Sequence, residues 1–428
     1  MATTNAPPLQ IRVLEAQRED PETYAALSRL FADAYPIMHV TTAEALAAMA
    51  EKMRSRSEPG TADVIAERDG ALVGSMRLHD YTMNVHGRDA LAGGVGSVAV
   101  ARTHKRQGIA RELISWYLDH YRRRGAPFAI LHPFRLDFYR AMGFGYGTPV
   151  HRFRFVPATL RDAGARGAIR FLGPADRDAF LACDERVRAR THGLIVRHVA
   201  PVERALADPA QRIVGVERDG VLRGFMQTVV INAPDDLLRN RDELLVRDLT
   251  SEDESCFAAL LGYLRSQRDQ FARIVVETQD EAFYLAAGDP RDGSDEVVAP
   301  PASHRVATTG LGMMYRILDV PGAFAHLPPS SRPLALKVVA ADAFFPAAGG
   351  AWTFRFSPHG PARPAETTSE PDATLTIGIA DLASVVMGSV RLDNVVRHGL
   401  ASVEPRSQLP HAEAVFRAAR PPQCTTRF

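Results

Sequence analysis

The chain holds only three cysteines, Cys183, Cys256 and Cys424, and two tryptophans in 428 residues. Cysteines so few and so scattered form no disulfide framework and no paired metal-ligand spacing, so neither a stapled secreted scaffold nor a structural metal site is expected. Charge of one sign is also lacking. The 51 basic and 50 acidic side chains leave a formal net charge of +1, which implies no nucleic-acid or membrane-surface partner. No stretch approaches the roughly 20 apolar residues that span a bilayer. Met1 to Gln10 shows no basic region followed by an apolar run, so neither export nor membrane insertion is expected and a cytoplasmic setting fits.

What is present is an ordinary globular composition, 46% hydrophobic and 24% charged, in a chain too long for one core. Leu27, Leu30, Phe31, Ala34, Tyr35 and Met38 recur at helical spacing, which predicts an amphipathic helix within Pro21 to His39 whose role is structural. Ala62 to Glu67 and Ala71 to Leu78 read as strands about Arg68-Asp69-Gly70, because Asp-Gly supplies the positive φ angles of a tight hairpin turn. A strand follows at Gly96 to Val100, then a helix from Gln107 to Arg123 and a strand at Phe128 to Leu131. This order predicts an α/β layer.

The layer recurs. Val64 to Met76 and Val214 to Met226 are identical at eight of thirteen positions, 150 residues apart. A strand near Leu244 to Asp248, a helix at Ser255 to Arg268 and a strand at Ile274 to Glu277 continue the second copy, with Gly312 to Leu318 closing it. Asp289 to Ser303 reads as a turn-rich excursion. From Leu334 the pattern changes again: a strand-like Leu334 to Ala340, a hairpin-like Trp352 to Phe356, then Ala373 to Ile379, a helix at Ile379 to Met387, and another at Ala412 to Ala419. The apolar run Leu382 to Val390 reads as core packing.

The chemistry concentrates after the strand Val98-Ala99-Val100. Five residues later Arg106-Gln107-Gly108-Ile109-Ala110 opens the helix, with Lys105 and Arg111 alongside. First-turn N–H groups have no partner within a helix and stand at the positive end of its dipole, so such a turn binds a diphosphate. Gly108 allows close backbone approach. The second copy has Thr250-Ser251-Glu252-Asp253-Glu254 instead, whose carboxylates repel a diphosphate. That copy reads as a scaffold.

Tyr139 stands thirty-one residues after Gly108, within Phe138-Tyr139-Arg140-Ala141-Met142-Gly143-Phe144. The two motifs at this spacing resemble those of the GNAT acetyltransferase superfamily, with Lys105 in place of the usual Arg or Gln. Two such layers, a third domain resembling sterol carrier proteins and an aromatic end at Phe428 look like the Eis family of acetyltransferases.

The resemblance implies an α/β (α+β) architecture of tandem GNAT-like domains at 1–155 and 156–320, the first with the acetyl-CoA site, and a sterol-carrier-like domain at 321–428. It implies acetyl transfer from acetyl-CoA to primary amines of a cationic substrate such as an aminoglycoside, a polyamine or a lysine side chain. By position, Tyr139 matches the general acid and the α-carboxylate of Phe428 the general base. Val98, Ala99 and Val100 match the strand that pairs with the pantetheine arm, Lys105 to Arg111 the pyrophosphate cradle, and Phe134 and Arg135 a further cofactor contact. A hexamer is implied, and no metal.

The chemistry suits these groups conditionally. A tyrosine of pKa about 10 gives its proton to a thiolate of pKa about 8.5 only in a concerted step or a perturbed site. A carboxylate of pKa about 3.5 faces an uphill transfer of about 7 kcal/mol from an alkylammonium, so it acts late or through water. His104, His132 and His151 read as loop or strand-edge residues. A lipid-binding protein with a relic acyltransferase layer, and a dinucleotide-binding oxidoreductase, are the weaker alternatives.

Overall fold

A computed structural model describes residues 8–15, 21–56, 58–162, 168–232, 242–292, 303–365 and 370–428. The chain divides into two compact units. One comprises Met1–Gly147, Met313–Ala419 and Phe428, and the other Thr148–Gly312 with Arg420–Arg427.

The first unit contains a seven-stranded sheet in the order Gln10–Val13, Thr61–Arg68, Ala71–Val85, Arg88–Val100, Phe128–Leu131, Met314–Ile317, Gly145–Tyr146. Asp69 and Gly70 take φ of 52° and 75°, the left-handed pair that closes the expected hairpin. Alternation along Thr61–Arg68 divides the sheet's two faces. Val64 and Ala66 pack with Leu113, Tyr117 and Tyr121 of helix Ile109–Arg123. Ile65 packs with Tyr24, Leu27 and Leu30 of helix Pro21–Ala34 and Met53 of helix Ala43–Ser55. Gly74 lets the first helix come close: a Cβ there would lie 3.0 Å from both Ile109 Cγ2 and Leu113 Cδ1.

The second unit repeats this plan in the order Ala307–Leu311, Pro149–Phe155, Arg273–Thr278, Glu243–Ser251, Val221–Ile231, Gln211–Arg218, Ala168–Leu172. Val214 faces Met226 as Val64 faces Met76, and Asp219 and Gly220 take φ of 54° and 73°. The repeat in sequence is thus a repeat in register. Helix Glu254–Ser266 packs one face through Cys256, Leu260 and Leu264, and Phe180, Cys183, Val202 and Leu206 pack the other.

The first unit also holds a five-stranded sheet ordered Gly360–Pro364, Gly350–Ser357, Leu334–Ala341, Ala373–Gly378, Ala401–Glu404. Helix Ile379–Val386 buries Leu382, Ala383, Val385 and Val386, so the apolar run there is core.

Sheet pairing is not linear along the chain. Pro149–Phe155, within the expected first domain, pairs with Arg273–Thr278, while Met314–Ile317, within the expected second, lies between Phe128–Leu131 and Gly145–Tyr146. Each exchanged strand covers an edge that would otherwise be open. The helix expected within Pro21 to His39 spans Pro21–Ala34 and ends there because Pro36 disfavours helical backbone before it and brings no N–H. A short 3₁₀ turn, Pro36–Met38, follows. Helix Ala43–Ser55 was not anticipated; Thr42 caps it, accepting the Ala45 N–H at 3.2 Å. Most of the excursion expected over Asp289 to Ser303 lies outside the described residues. Among the described residues no helix is long and apolar enough to cross a membrane.

Candidate active site

Strand Arg88–Val100 runs parallel to Phe128–Leu131 only from Ala92 opposite Phe128 to Val95 opposite Leu131. Beyond Val95 it continues to Val100, paired on its other side with Ala71–Val85 through an irregularity between Ser75 and Arg77. Ser97 takes a φ of 52° there. Among the described residues, the edge of Gly96–Val100 turned toward Phe128–Leu131 therefore has no strand partner. An extended molecule carrying amide groups fits such an edge as an added strand. Val98, Ala99 and Val100 lie on it, and the Tyr35 hydroxyl donates to the Val98 carbonyl at 2.8 Å.

The chain next turns through Lys105, Arg106, Gln107 and Gly108, all exposed, into the 15-residue helix Ile109–Arg123. Gly108 is its N-cap, at a φ of 83°, and no side chain caps the helix. Arg106 also takes a positive φ, 64°. Among the described residues no side chain caps the first-turn N–H groups, a state in which a helix start can take an anion. The Gln107 side-chain carbonyl accepts from Arg68 at 2.9 Å. The Arg111 guanidinium lies 5.0 Å over the Phe344 ring.

The second copy has closed this feature. Asp253 occupies the N-cap of helix Glu254–Ser266, and its carboxylate accepts the Cys256 N–H at 2.8 Å. That hydrogen bond, with the Arg218 guanidinium beside it, holds the Asp253 carboxyl down at about 2. The helix start is satisfied by its own side chain.

Tyr139 sits in the short helix Leu136–Arg140, buried among the rings of Phe134, Phe138 and Phe144 at centroid distances of 5.8, 5.1 and 5.9 Å. Burial pushes its hydroxyl pKa well above the usual tyrosine value, with the nearby Tyr35 phenol adding in the same direction. Phe134 is itself 68% exposed. Arg135 pairs with Asp137 at the surface.

The Phe428 ring stands 5.4 Å from His79, 5.0 Å from Tyr81 and 5.2 Å from His132. Its backbone comes against Gly96, where a Cβ would lie 3.3 Å from the Phe428 carbonyl carbon. Gly96 is the first residue past the end of the parallel pairing. The segment leaving Phe128–Leu131 thus carries both contacts two residues apart, His132 on Phe428 and Phe134 on Tyr139.

The preceding tail residues belong to the second unit and are held there in succession. Thr148 donates to the Pro422 carbonyl at 2.6 Å, the Gln423 N–H to His192 at 2.8 Å, and the Cys424 N–H to Gln279 at 2.6 Å. Arg197 donates to the Thr425 hydroxyl at 3.2 Å. Burial lifts the Cys424 thiol to about 12.

Sequence reasoning left out Tyr35, His79, Tyr81 and Gly96. Tyr35 was legible only as a position on a core-facing helix, and His79 and Tyr81 only as strand alternation. His132 is the first residue past strand Phe128–Leu131, where its ring meets that of Phe428 edge-on; the His104 ring meets Thr103, and the His151 ring meets Thr309 at 3.0 Å in the second unit.

Residues 17–147 match the acetyltransferase (GNAT) domain family, and residues 320–425 match the sterol carrier protein domain family. An uncharacterized N-acetyltransferase of Streptomyces coelicolor is 28% identical over 355 residues, covering 77% of this chain and 80% of that protein. The N-acetyltransferase Eis of Mycobacterium tuberculosis is 30% identical over 151 residues, covering 32% of this chain and 38% of that protein. Among solved structures, a GCN5-related N-acetyltransferase from Anabaena variabilis aligns at a TM-score of 0.79 and 14% identity, covering 98% of this chain and 100% of that one. Eis1 from Mycobacterium abscessus aligns at 0.76 and 21%, with the same coverage. These structural likenesses speak for the fold, and the sequence relatives carry the activity: this chain is an N-acetyltransferase of the GNAT superfamily with a sterol-carrier-type domain.

Proposed function

We propose that this N-acetyltransferase is of the Eis type and moves acetyl from acetyl-CoA to a primary amine of a cationic substrate, aminoglycoside-, polyamine- or lysine-like. The observation that carries the reading is the seat of Phe428 against Gly96, at the point where the strand edge opens and beside the segment that leads to Tyr139. In this reading residues 1–155 carry the acetyl-CoA site, 156–320 serve as scaffold and 321–428 supply the chain terminus.

The residues present suit acetyl-CoA. Val98, Ala99 and Val100 lie on a strand edge that no other strand takes among the described residues and that matches the amides of a pantetheine arm, and the turn at Gly108, which no side chain caps, matches a diphosphate with Lys105 and Arg106. Gln107, Ile109, Ala110 and Arg111 complete that cradle in the proposal, with Phe134 and Arg135 as a further contact. Arg111 is the least suited, since Phe344 already takes its cation.

Tyr139 acts as the general acid. Burial keeps its hydroxyl protonated at neutral pH and at the same time makes it a weaker acid toward a thiolate, so the proton passes in concert with C–S cleavage. An α-carboxylate at Phe428 acts as the general base in this proposal. It attracts the cationic substrate; the primary amine attacks in its neutral fraction, having given its first proton to water, and the carboxylate then accepts the second proton from the nitrogen that attack has made acidic. Assembly into a hexamer is part of the same proposal.

The test is CoA release from acetyl-CoA across primary, secondary and uncharged amines, with acetyl-CoA binding measured by calorimetry. Turnover confined to cationic primary amines supports the reading. Tight acetyl-CoA binding without turnover on any cationic primary amine overturns the substrate class.

A further inference from the structure

The Tyr139 helix is tied at its end to a cation that comes from far along the chain. Arg316, on strand Met314–Ile317, is fully buried. One arm of its guanidinium donates to the Met142 carbonyl and the other to the Asp342 carboxylate, which is also buried. The group lies 5.9 Å from the ring centroids of both Phe144 and Phe344. Asp342 is held in turn by its own loop, accepting the N–H groups of Phe344 at 3.1 Å and Phe345 at 2.9 Å.

Met142 is no arbitrary anchor. Its N–H and that of Phe144 both donate to the Tyr139 carbonyl, at 3.0 and 3.1 Å, so Met142 and Tyr139 move together. Between Met142 and Phe144, Gly143 takes a φ of 82°, and a Cβ there would lie 1.5 Å from Arg316 Nη1. The glycine of the Phe-Tyr-Arg-Ala-Met-Gly-Phe segment therefore makes room for this guanidinium as well as for the turn.

A buried ion pair is a poor means of stabilising a fold, since an apolar pair of similar volume usually does as well. What the apolar pair lacks is a fork that grips a neutral carbonyl and a carboxylate at once. We propose that Arg316 is the positioning residue for Tyr139: braced by Asp342 on the sterol-carrier-type side, it holds the Met142 carbonyl and so sets where the Tyr139 hydroxyl stands. This rests on Tyr139 being the general acid.

A double-mutant cycle tests it. Steady-state kcat and KM for acetyl-CoA are measured for wild type, Arg316→Lys, Tyr139→Phe and Tyr139→Phe/Arg316→Lys. Lysine keeps the charge but loses the fork. Arg316→Lys is expected to lower kcat about 10- to 100-fold, as misplacement of a reacting group does, with KM within about threefold. In the Tyr139→Phe background the same change should cost no more than about twofold, because the group it positions is already gone.

An equal loss in both backgrounds overturns the proposal, since a merely structural role acts independently of the hydroxyl. Should Arg316→Lys fail to fold, the charge-free pair Arg316→Met/Asp342→Leu replaces it in the cycle. Full kcat in that folded pair also overturns the proposal. If Tyr139→Phe alone keeps wild-type kcat, it is the assignment of Tyr139 that falls, whatever Arg316 does.

Discussion

The imidazole of His132 meets the Phe428 ring edge-on, with 5.2 Å between centroids and 60° between planes. A ring pair of this kind is worth about 0.5–1.5 kcal/mol beyond its buried area. Its removal should loosen the seat of the carboxylate proposed as base. His132→Ala is expected to lower kcat by about 3- to 10-fold, the rate equivalent of that contact. His132→Phe keeps an edge-on ring and should stay near wild type. Equal losses in the two variants, read from steady-state rates, would mean that the imidazole does chemistry.

Tyr139 makes a prediction about pH. Its pKa is raised from the ordinary 10.0, chiefly by burial, so the hydroxyl stays protonated through neutral and mildly alkaline solution. An acid whose pKa is raised loses its proton later, so kcat should show no descending limb assignable to Tyr139 between about pH 8 and pH 10. A falling limb in that range that disappears in Tyr139→Phe would contradict the assignment.

The two copies carry different residues at the helix N-cap, Gly108 in one and Asp253 in the other. Installing the second copy's cap in the first, as Gly108→Asp, places a carboxylate where a diphosphate is proposed to bind and strains a backbone at a φ of 83°. The KM for acetyl-CoA should rise at least about tenfold, the equivalent of about 1.4 kcal/mol. An unchanged KM would remove the diphosphate from this turn.

Asp253→Ala should leave that KM alone and cost about 1 kcal/mol of stability through the lost cap. The Asp253 carboxyl is depressed to about 2, chiefly by its hydrogen bond from the Cys256 N–H. The sign follows: a depressed carboxyl stabilises fully above its unfolded value near 3.9, and the contribution fades as pH falls toward 2. Urea melts of wild type and Asp253→Ala should therefore converge between about pH 4 and pH 2. A gap that stays constant would assign the loss to something other than the cap.

The repeat was legible in sequence because Asp-Gly turns and alternating Val64, Ala66, Val214 and Val216 are local signals that survive into register. Gly108 was legible for the same reason: a glycine at the start of an apolar-periodic helix is a local event. The strand exchange was not, since nothing local marks Pro149–Phe155 or Met314–Ile317 as belonging to one sheet rather than another. Tyr35, His79 and His132 escaped because their role comes from what they face across 50 residues or more. Arg316 read as one cation in a strand, and only burial beside Met142 and Asp342 gives it meaning.

The carboxylate at Phe428 and the hydroxyl of Tyr139 are proposed to act together on the acetyl transfer. The most direct measurement is single-turnover acetyl transfer to a cationic primary amine by wild type, Tyr139→Phe and a variant lengthened by one glycine after Phe428. The added glycine moves the carboxylate while leaving the ring beside His79, Tyr81 and His132. The account predicts that both variants still bind acetyl-CoA and that each loses at least about 100-fold of the transfer rate, in the range set by removing a general acid or base. A lengthened chain that transfers acetyl at the wild-type rate would contradict it.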